Sequence, residues 1–210
     1  MVPDTPDDDD RATRRDGAPG AASRGGEAET AARSGAGAVP ADAPLTVGWR
    51  EWVALPALGL PAIKAKVDTG ARTSALHAFD IAEERGEGGA ALVGFSVHPL
   101  QRDGATAVRC RAPFVDRRTV TDSGGHREER WVIATTLALG GRSREVEVTL
   151  VDRTDMLFRM LVGRTSLVPD VLVNPARSFL LGRVAARGLY ASRGDAAAGT
   201  PQGISQSTPR

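Results

Sequence analysis

Hydrophobic and polar residues alternate along short stretches of the chain, which is the pattern of half-buried β-strands. Residues 63–67 alternate Ile, Ala and Val with two lysines, and residues 145–150 alternate Glu and Thr with Val and Leu. Residues 160–162 are wholly apolar, which indicates a short strand buried on both faces. The same reasoning predicts further strands over residues 46–55, 91–97, 107–115 and 131–139.

Helical periodicity is weak throughout the sequence. No stretch keeps apolar residues at helical spacing for three turns, and one short helical turn over residues 165–168 is the only helix predicted. Gly140 and Gly141 favour a hairpin turn between two strands. The pattern therefore predicts an all-β domain with one short helix.

Composition divides the 210 residues into a foldable domain and two tails. Residues 1–44 are rich in Ala, Gly, Pro and Asp and contain few large apolar side chains, and residues 191–210 contain one, Ile204. Such segments bury too little apolar surface to offset the entropy of ordering. The sequence predicts disordered tails on either side of a domain over residues 45–190. The absence of a long apolar run or leader peptide predicts a cytoplasmic protein that does not bind membranes.

Charge, cysteine content and histidine content argue against a nucleic-acid-binding protein and against a protein-built metal site. Residues 45–190 hold 20 basic and 16 acidic residues, a net charge of +4, without a contiguous basic run, so we expect no nucleic-acid partner. The only cysteine, Cys110, is predicted to be a small residue within a strand. The three histidines are scattered, so no protein-built metal site is expected, and His77 is predicted to pack as a polar strand residue.

Two motifs follow predicted strands and carry candidate chemistry. Asp68-Thr69-Gly70 comes directly after the alternating strand, and Gly163-Arg164 comes directly after the apolar strand. The glycine in each motif lets the backbone turn sharply where the strand ends. An Asp-Thr-Gly loop supported by a second apolar strand that ends in Gly resembles the retropepsin-like aspartic protease fold, a closed β-barrel.

Longer sequence segments point to one family among the retropepsin-like proteins. The segments VGWREWVALPALGLPAIKAKVDTGARTSALHAFDI and FRMLVGRTSL resemble bacterial retropepsin-like proteins associated with RimK-type glutamate ligases, which are often labelled ATP-dependent zinc proteases. The resemblance covers nearly all of residues 47–183. The chain has neither an H-E-x-x-H motif nor a G-x-x-x-x-G-K-[ST] loop, so we expect neither zinc nor ATP and no cofactor.

The resemblance implies roles for individual residues. Asp68 would be the catalytic carboxylate, with Thr69 and Gly70 completing its loop, and Gly163 and Arg164 would support that loop. A flap would be formed by residues 119–129. The implied substrate-binding residues are Ala71, Arg72, Thr73, Ser74, Gly124 and Gly125. Thr73 and Ser74 could instead satisfy loop amides, and the flap residues could form an ordinary exposed hairpin.

Aspartic catalysis requires two carboxyl groups, one protonated and one acting as the base for a shared water. The chain contains one Asp-Thr-Gly, so the resemblance implies a homodimer in which a second Asp68 completes the pair. Asp152 or Asp155 of the same chain is the alternative second acid. Viral retropepsins have an acid four residues after the catalytic Asp that pairs with the matching arginine. This chain has Arg72 at that position, which leaves open whether Arg164 forms such a dimer-stabilising ion pair.

The predicted function is that of a hydrolase, an aspartic-type endopeptidase acting on peptides or proteins. Lys64, Lys66 and Arg72 would favour acidic substrates, including glutamate-tailed ones, although the two lysines could simply solvate the outer strand face. One alternative is a catalytically inactive retropepsin-like module that binds peptides or regulates a partner. Another is the first phosphate loop of an actin-like ATPase or sugar kinase, which the chain length and the absence of a second Gly-rich loop disfavour.

Overall fold

The computed structural model describes residues 43–121, 125, 127–152 and 157–194. Within them the chain forms eleven β-strands and one α-helix. The strands are β1 (Leu45–Gly48), β2 (Arg50–Leu55), β3 (Leu60–Asp68), β4 (Ser74–His77), β5 (Phe79–Arg85), β6 (Ala91–Val97), β7 (Val108–Thr121), β8 (Arg127–Leu139), β9 (Arg142–Val151), β10 (Met160–Gly163) and β11 (Val171–Asn174), and the helix is α1 (Ala186–Gly194).

Nine of these strands form one sheet in the order β2-β3-β10-β4-β9-β8-β7-β6-β5. Ala54 of β2 also pairs with Ala138 of β8, so the strands from β2 to β8 in this order form a ring. The ring encloses the main apolar core, to which Leu55, Leu76 and Met160 contribute fully buried side chains. The predicted all-β, retropepsin-like fold is confirmed, and its predicted barrel takes the form of this ring.

The remaining two strands, β1 and β11, pair with each other in parallel. Hydrogen bonds to Glu51, a fully buried residue on β2, link the end of β1 to the ring. Glu51 accepts hydrogen bonds from the backbone N–H groups of Gly48 at 2.7 Å and Leu180 at 2.8 Å. A buried charge of this kind is tolerated because hydrogen-bond donors replace its lost water.

Three adjacent strands, β3, β10 and β4, position the Asp-Thr-Gly loop. β10 lies between β3 and β4, parallel to β3 and antiparallel to β4. Its register sets Gly163 beside Asp68 and Leu161 beside Lys66. The two motifs singled out in the sequence therefore end adjacent strands at the same level of the sheet.

Most predicted strands are present, with shifted ends. The predicted strand 46–55 is interrupted at Trp49, which separates β1 from β2, and β3 and β8 begin several residues earlier than predicted. Gly140 and Gly141 form the β8–β9 turn with φ angles of +59° and +78°, as their positive-φ preference indicates. The predicted turn at 165–168 is a 3-10 turn at Arg164–Ser166.

The helix α1 was missed, because its sequence has no pronounced apolar stripe. It packs on β3 through Tyr190, whose hydroxyl donates to the carbonyl oxygen of Ala62 at 2.6 Å. The predicted domain end at Tyr190 falls inside this helix. The predicted tails lie almost entirely outside the described residues. Among the helices of the described residues, none has the length and hydropathy needed to cross a membrane.

Candidate active site

Asp68 is the last residue of β3, at the start of an exposed turn. Its Oδ1 atom accepts hydrogen bonds from the backbone N–H groups of Gly70 and Ala71, both at 3.1 Å. Two backbone donors fix the orientation of the carboxylate without a charged partner. Thr69 and Gly70 are exposed and Asp68 is half-buried, so the loop presents the carboxylate at the protein surface.

Gly163 supports this loop through close backbone contact. A Cβ atom at this position would lie 2.5 Å from the carbonyl carbon and oxygen of Thr73 and 2.9 Å from the nitrogen of Ser74. No side chain fits at such distances, so the strand pairing at this point requires glycine.

Consecutive residues after Gly163 form backbone hydrogen bonds with consecutive residues of the Asp-Thr-Gly loop. The backbone N–H of Arg164 donates to the carbonyl of Ala71 at 2.8 Å, and that of Thr165 donates to the carbonyl of Arg72 at 3.0 Å. The guanidinium of Arg164 donates to the carbonyl of Thr69 at 3.2 Å. Arg164 thus holds the loop on both sides of Gly70.

Ser74 is fully buried behind the loop. Its hydroxyl accepts from the backbone N–H of Gly163 at 3.0 Å and lies 2.7 Å from the hydroxyl of Ser166. Its carbonyl accepts from the hydroxyl of Thr149 at 3.1 Å. Because these partners occupy the buried hydroxyl, Ser74 supports the loop from behind and is not the substrate-binding residue that the resemblance implied. Ala71 and Thr73 are half-buried in the same loop.

The three cations predicted near the cleft have different surroundings. Lys64 is 5% exposed, with its ammonium 5.4 Å from the Trp52 ring and 5.5 Å from the Phe179 ring. Its predicted position on an exposed face is therefore wrong, because the segment containing Phe179 covers it. Lys66 is exposed, as predicted.

Arg72 is also exposed, and it lies close enough to Glu147 to act on its titration. The hydrogen bond from Arg118 is the main cause that holds the pKa of Glu147 below its ordinary value, and the charge of Arg72 adds to this effect. Glu147 therefore offsets part of the positive charge at Arg72.

Asp152, one of the two candidate second acids of the same chain, does not lie beside Asp68. Asp152 follows Val151, which pairs with His77 at the far end of β4, whereas Ser74 at the near end pairs with Val148. These two levels are three residues apart along the strand, which is about 10 Å. Asp155 lies outside the described residues. The described ranges contain no group of three or more His, Cys, Asp or Glu arranged to hold a metal ion.

The hairpin predicted as a flap is formed by β7 and β8, which pair as far as Thr121 and Arg127. Gly125 at its tip is exposed with a φ of +82°, a conformation that favours glycine. Ser123 and Gly124 lie outside the described residues. The role of this hairpin as a flap stays a prediction.

Sequence reasoning missed three polar residues that position the loop, namely Thr149, Thr165 and Ser166. The Thr-Ser pair directly after Gly163-Arg164 was the available signal, since hydroxyl side chains at a strand end commonly bond to nearby backbone. Thr149 gave no such signal, because it occupies an ordinary alternating position in β9.

The ring of strands, the Asp-Thr-Gly loop and the glycine-ended strand beneath it are the features of a retropepsin-like protein. Residues 46–183 match the RimB-like family, described as retropepsin-like aspartic endopeptidase RimB, and the chain belongs to this family.

Two curated relatives carry a different name. A "Probable alpha-L-glutamate ligase" of Shewanella pealeana is 48% identical over 136 residues, which cover 65% of this chain and 30% of the relative. The protein of the same name from Shewanella halifaxensis is 43% identical over 166 residues, 78% of this chain and 36% of the relative. The match thus spans about a third of the length of these relatives.

Among solved structures, a Legionella pneumophila protein of unknown function has the same fold. It matches with a TM-score of 0.56 and 25% sequence identity, over 65% of this chain and 98% of the other.

Proposed function

We propose that the chain is an aspartic peptidase in which Asp68 of two copies forms the catalytic pair. The observation that carries this proposal is the placement of Asp68 at the end of β3, where two backbone N–H groups hold Oδ1 and the loop is exposed. An exposed loop leaves room for the same loop of a second copy. The position of Asp152 at the far end of β4 supports a partner acid from a second chain.

In this proposal, the unprotonated carboxylate removes a proton from a water held between the two Asp68 side chains. The water oxygen attacks the peptide carbonyl carbon while the protonated carboxyl donates its proton to the carbonyl oxygen. The resulting tetrahedral diol then breaks its C–N bond: the protonated carboxyl donates its proton to the leaving amine, and the unprotonated carboxylate accepts the proton of one diol hydroxyl, which becomes the new carbonyl. Two carboxyl groups this close share one proton because both cannot ionise cheaply.

The proposed substrates are peptides or proteins that end in glutamate residues. Two observations support this class: the net charge of +4 over residues 45–190 and the glutamate-ligase name of the curated relatives. A peptidase that removes glutamate residues would reverse the product of such a ligase.

The test is cleavage of a synthetic glutamate-tailed peptide by the purified full chain, followed by mass spectrometry. Asp68→Asn preserves shape and removes the charge, so we expect activity to fall by about 100-fold or more. Asp152→Asn tests the acid at the far end of β4 and is expected to retain activity. Wild-type cleavage by Asp68→Asn would overturn the proposal, and loss of activity in Asp152→Asn would overturn the two-chain pair.

A module that binds glutamate-tailed chains without cleaving them is the second candidate. It is favoured by the span of the match, because the relatives named as ligases contain this region within a protein about three times the length of the match. Such a module would bind the peptide with equal affinity in the wild type and in Asp68→Asn, and neither protein would release a product.

A further inference from the structure

The side chains of β3 divide into two sets. Ile63, Ala65 and Val67 are buried in the core, and the period of two places Lys64, Lys66 and Asp68 on the opposite face. That face carries the candidate catalytic carboxylate. Lys66 precedes Asp68 by two residues, so their Cα atoms are about 6.5–7 Å apart along the strand.

Lys66 is the exposed cation of this row. Its neighbour on β10 is Leu161, which is half-buried and offers an apolar surface beside the ammonium. Within residues 43–121, 125, 127–152 and 157–194, the structure gives Lys66 no carboxylate at ion-pair distance. Its charge is therefore available to a ligand.

The other cations around this row are engaged with the protein. Lys64 is covered by Trp52 and Phe179. Arg50, directly opposite Lys66 on β2, is half-buried with its guanidinium 4.6 Å from the Trp49 ring centre.

Arg72 is also exposed, but it lies on the loop beyond the row and not on β3. Of the three cations that the sequence placed near the cleft, Lys66 is the one that is exposed on the strand face that carries Asp68.

We propose that Lys66 determines substrate specificity by binding an acidic side chain next to the scissile bond. This inference rests on the proposed function. An extended peptide repeats its side chains on one face every two residues, about 6.5–7 Å, which matches the spacing from Asp68 to Lys66. A substrate held with its scissile carbonyl at Asp68 thus places a neighbouring side chain over Lys66. A carboxylate there gains an ion pair with the ammonium, whereas glutamine offers only a neutral acceptor and a lysine side chain is repelled.

The experiment compares three peptides of equal length with glutamate, glutamine or lysine tails. The full chain is assayed as wild type, Lys66→Met, Lys66→Glu and Arg85→Glu. Arg85 is an exposed base on the edge strand β5, so its reversal changes net charge by the same amount as Lys66→Glu and serves as the control. We expect Lys66→Met to lower kcat/KM for the glutamate peptide by about tenfold and to leave the glutamine peptide unchanged. Lys66→Glu should reverse the preference toward the lysine peptide.

Binding provides a readout that is independent of turnover. A fluorescein-labelled glutamate peptide is titrated into Asp68→Asn and into Asp68→Asn carrying Lys66→Glu. We expect a weaker Kd in the double variant by about tenfold or more, with the difference shrinking at high salt. Binding that depends on Lys66 without cleavage by the wild type would support Lys66 and reject the peptidase.

Two results would overturn the role of Lys66 while leaving the peptidase in place. One is cleavage with the same glutamate preference in wild type and Lys66→Glu. The other is loss of that preference in Arg72→Met but not in Lys66→Met. If the wild type neither binds nor cleaves any of the three peptides, both proposals are overturned.

Discussion

The guanidinium of Arg164 donates a hydrogen bond to the carbonyl oxygen of Thr69, 95 residues earlier in the chain. The chain has Arg72, a base, four residues after Asp68, and the guanidinium of Arg164 contacts the backbone of the Asp-Thr-Gly loop. A cation on a carbonyl fixes the loop within one chain and requires no acidic partner. Arg164 therefore supports the loop through the loop's own backbone.

Replacing Arg164 tests whether this contact positions Asp68. Arg164→Ala should lower kcat by about tenfold, because a small displacement of a catalytic group is costly. The melting temperature should change little, since Arg164 is exposed. Kinetics and thermal unfolding are measured together, with Arg85→Ala as the control for loss of an exposed arginine. An unchanged kcat in Arg164→Ala would show that the backbone bonds of the loop suffice.

Gly163 allows a sharper test of the loop support. Gly163→Ala places a Cβ atom 2.5 Å from the backbone of Thr73, which cannot move aside as a side chain would. We expect a loss of about 1–3 kcal/mol or more in the free energy of unfolding. Gly104→Ala is the matched control, because its Cβ would meet nothing within 4 Å. Equal stability of the two variants in urea unfolding would contradict the described packing.

The reactivity of Cys110 reports on the packing of β7 against the apolar core. The residue is 2% exposed, its thiol donates to the carbonyl of Leu58 at 3.3 Å, and burial raises its pKa to about 12. Since the thiolate is the reactive form, the native protein should resist alkylation by iodoacetamide at pH 8 and react fully in denaturant. Rapid stoichiometric labelling of the native chain would contradict the buried position.

The buried imidazole of His77 predicts a pH dependence of stability. Burial is the main cause that lowers its pKa below 6.5, with the charge of Arg159 adding to it, while the Val151 carbonyl and Asp152 oppose the shift. The unfolded chain then binds more protons than the folded chain below pH 6.5, so the free energy of unfolding falls as pH decreases through this range. His77→Gln should flatten this slope between pH 7 and 5. An unchanged slope in urea unfolding would assign the dependence to other groups.

The sequence predicted the elements whose patterns are simple. The alternation in residues 63–67 located β3, and the apolar residues 160–162 located β10 between two other strands. The alternation did not reveal that Lys64 is buried, because its cover, Phe179, comes from a segment more than 100 residues away. Burial by a distant segment leaves no mark on local periodicity.

Local motifs in the sequence located part of the candidate site, and the rest depends on contacts between distant segments. Asp68, Gly163 and Arg164 were found because their motifs end strands, and the structure brings all three together. The place of Ser74 was left open between substrate binding and backbone support, because a serine in a loop motif has no local feature that distinguishes a buried hydroxyl from an exposed one. Its partner Ser166 lies 92 residues further along the chain, so only the folded register joins them.

The central claim is that the Asp68 side chains of two copies of the chain together form one catalytic pair. It is tested most directly by mixing wild-type and Asp68→Asn protein, allowing subunits to exchange, and measuring cleavage of the glutamate-tailed peptide at constant total protein. If each active site needs Asp68 from both copies, an equal mixture should retain about one quarter of the wild-type activity, because about one quarter of the dimers have two wild-type chains. Retention of about one half, in proportion to the wild-type chain, would contradict the shared pair and assign a complete site to each chain.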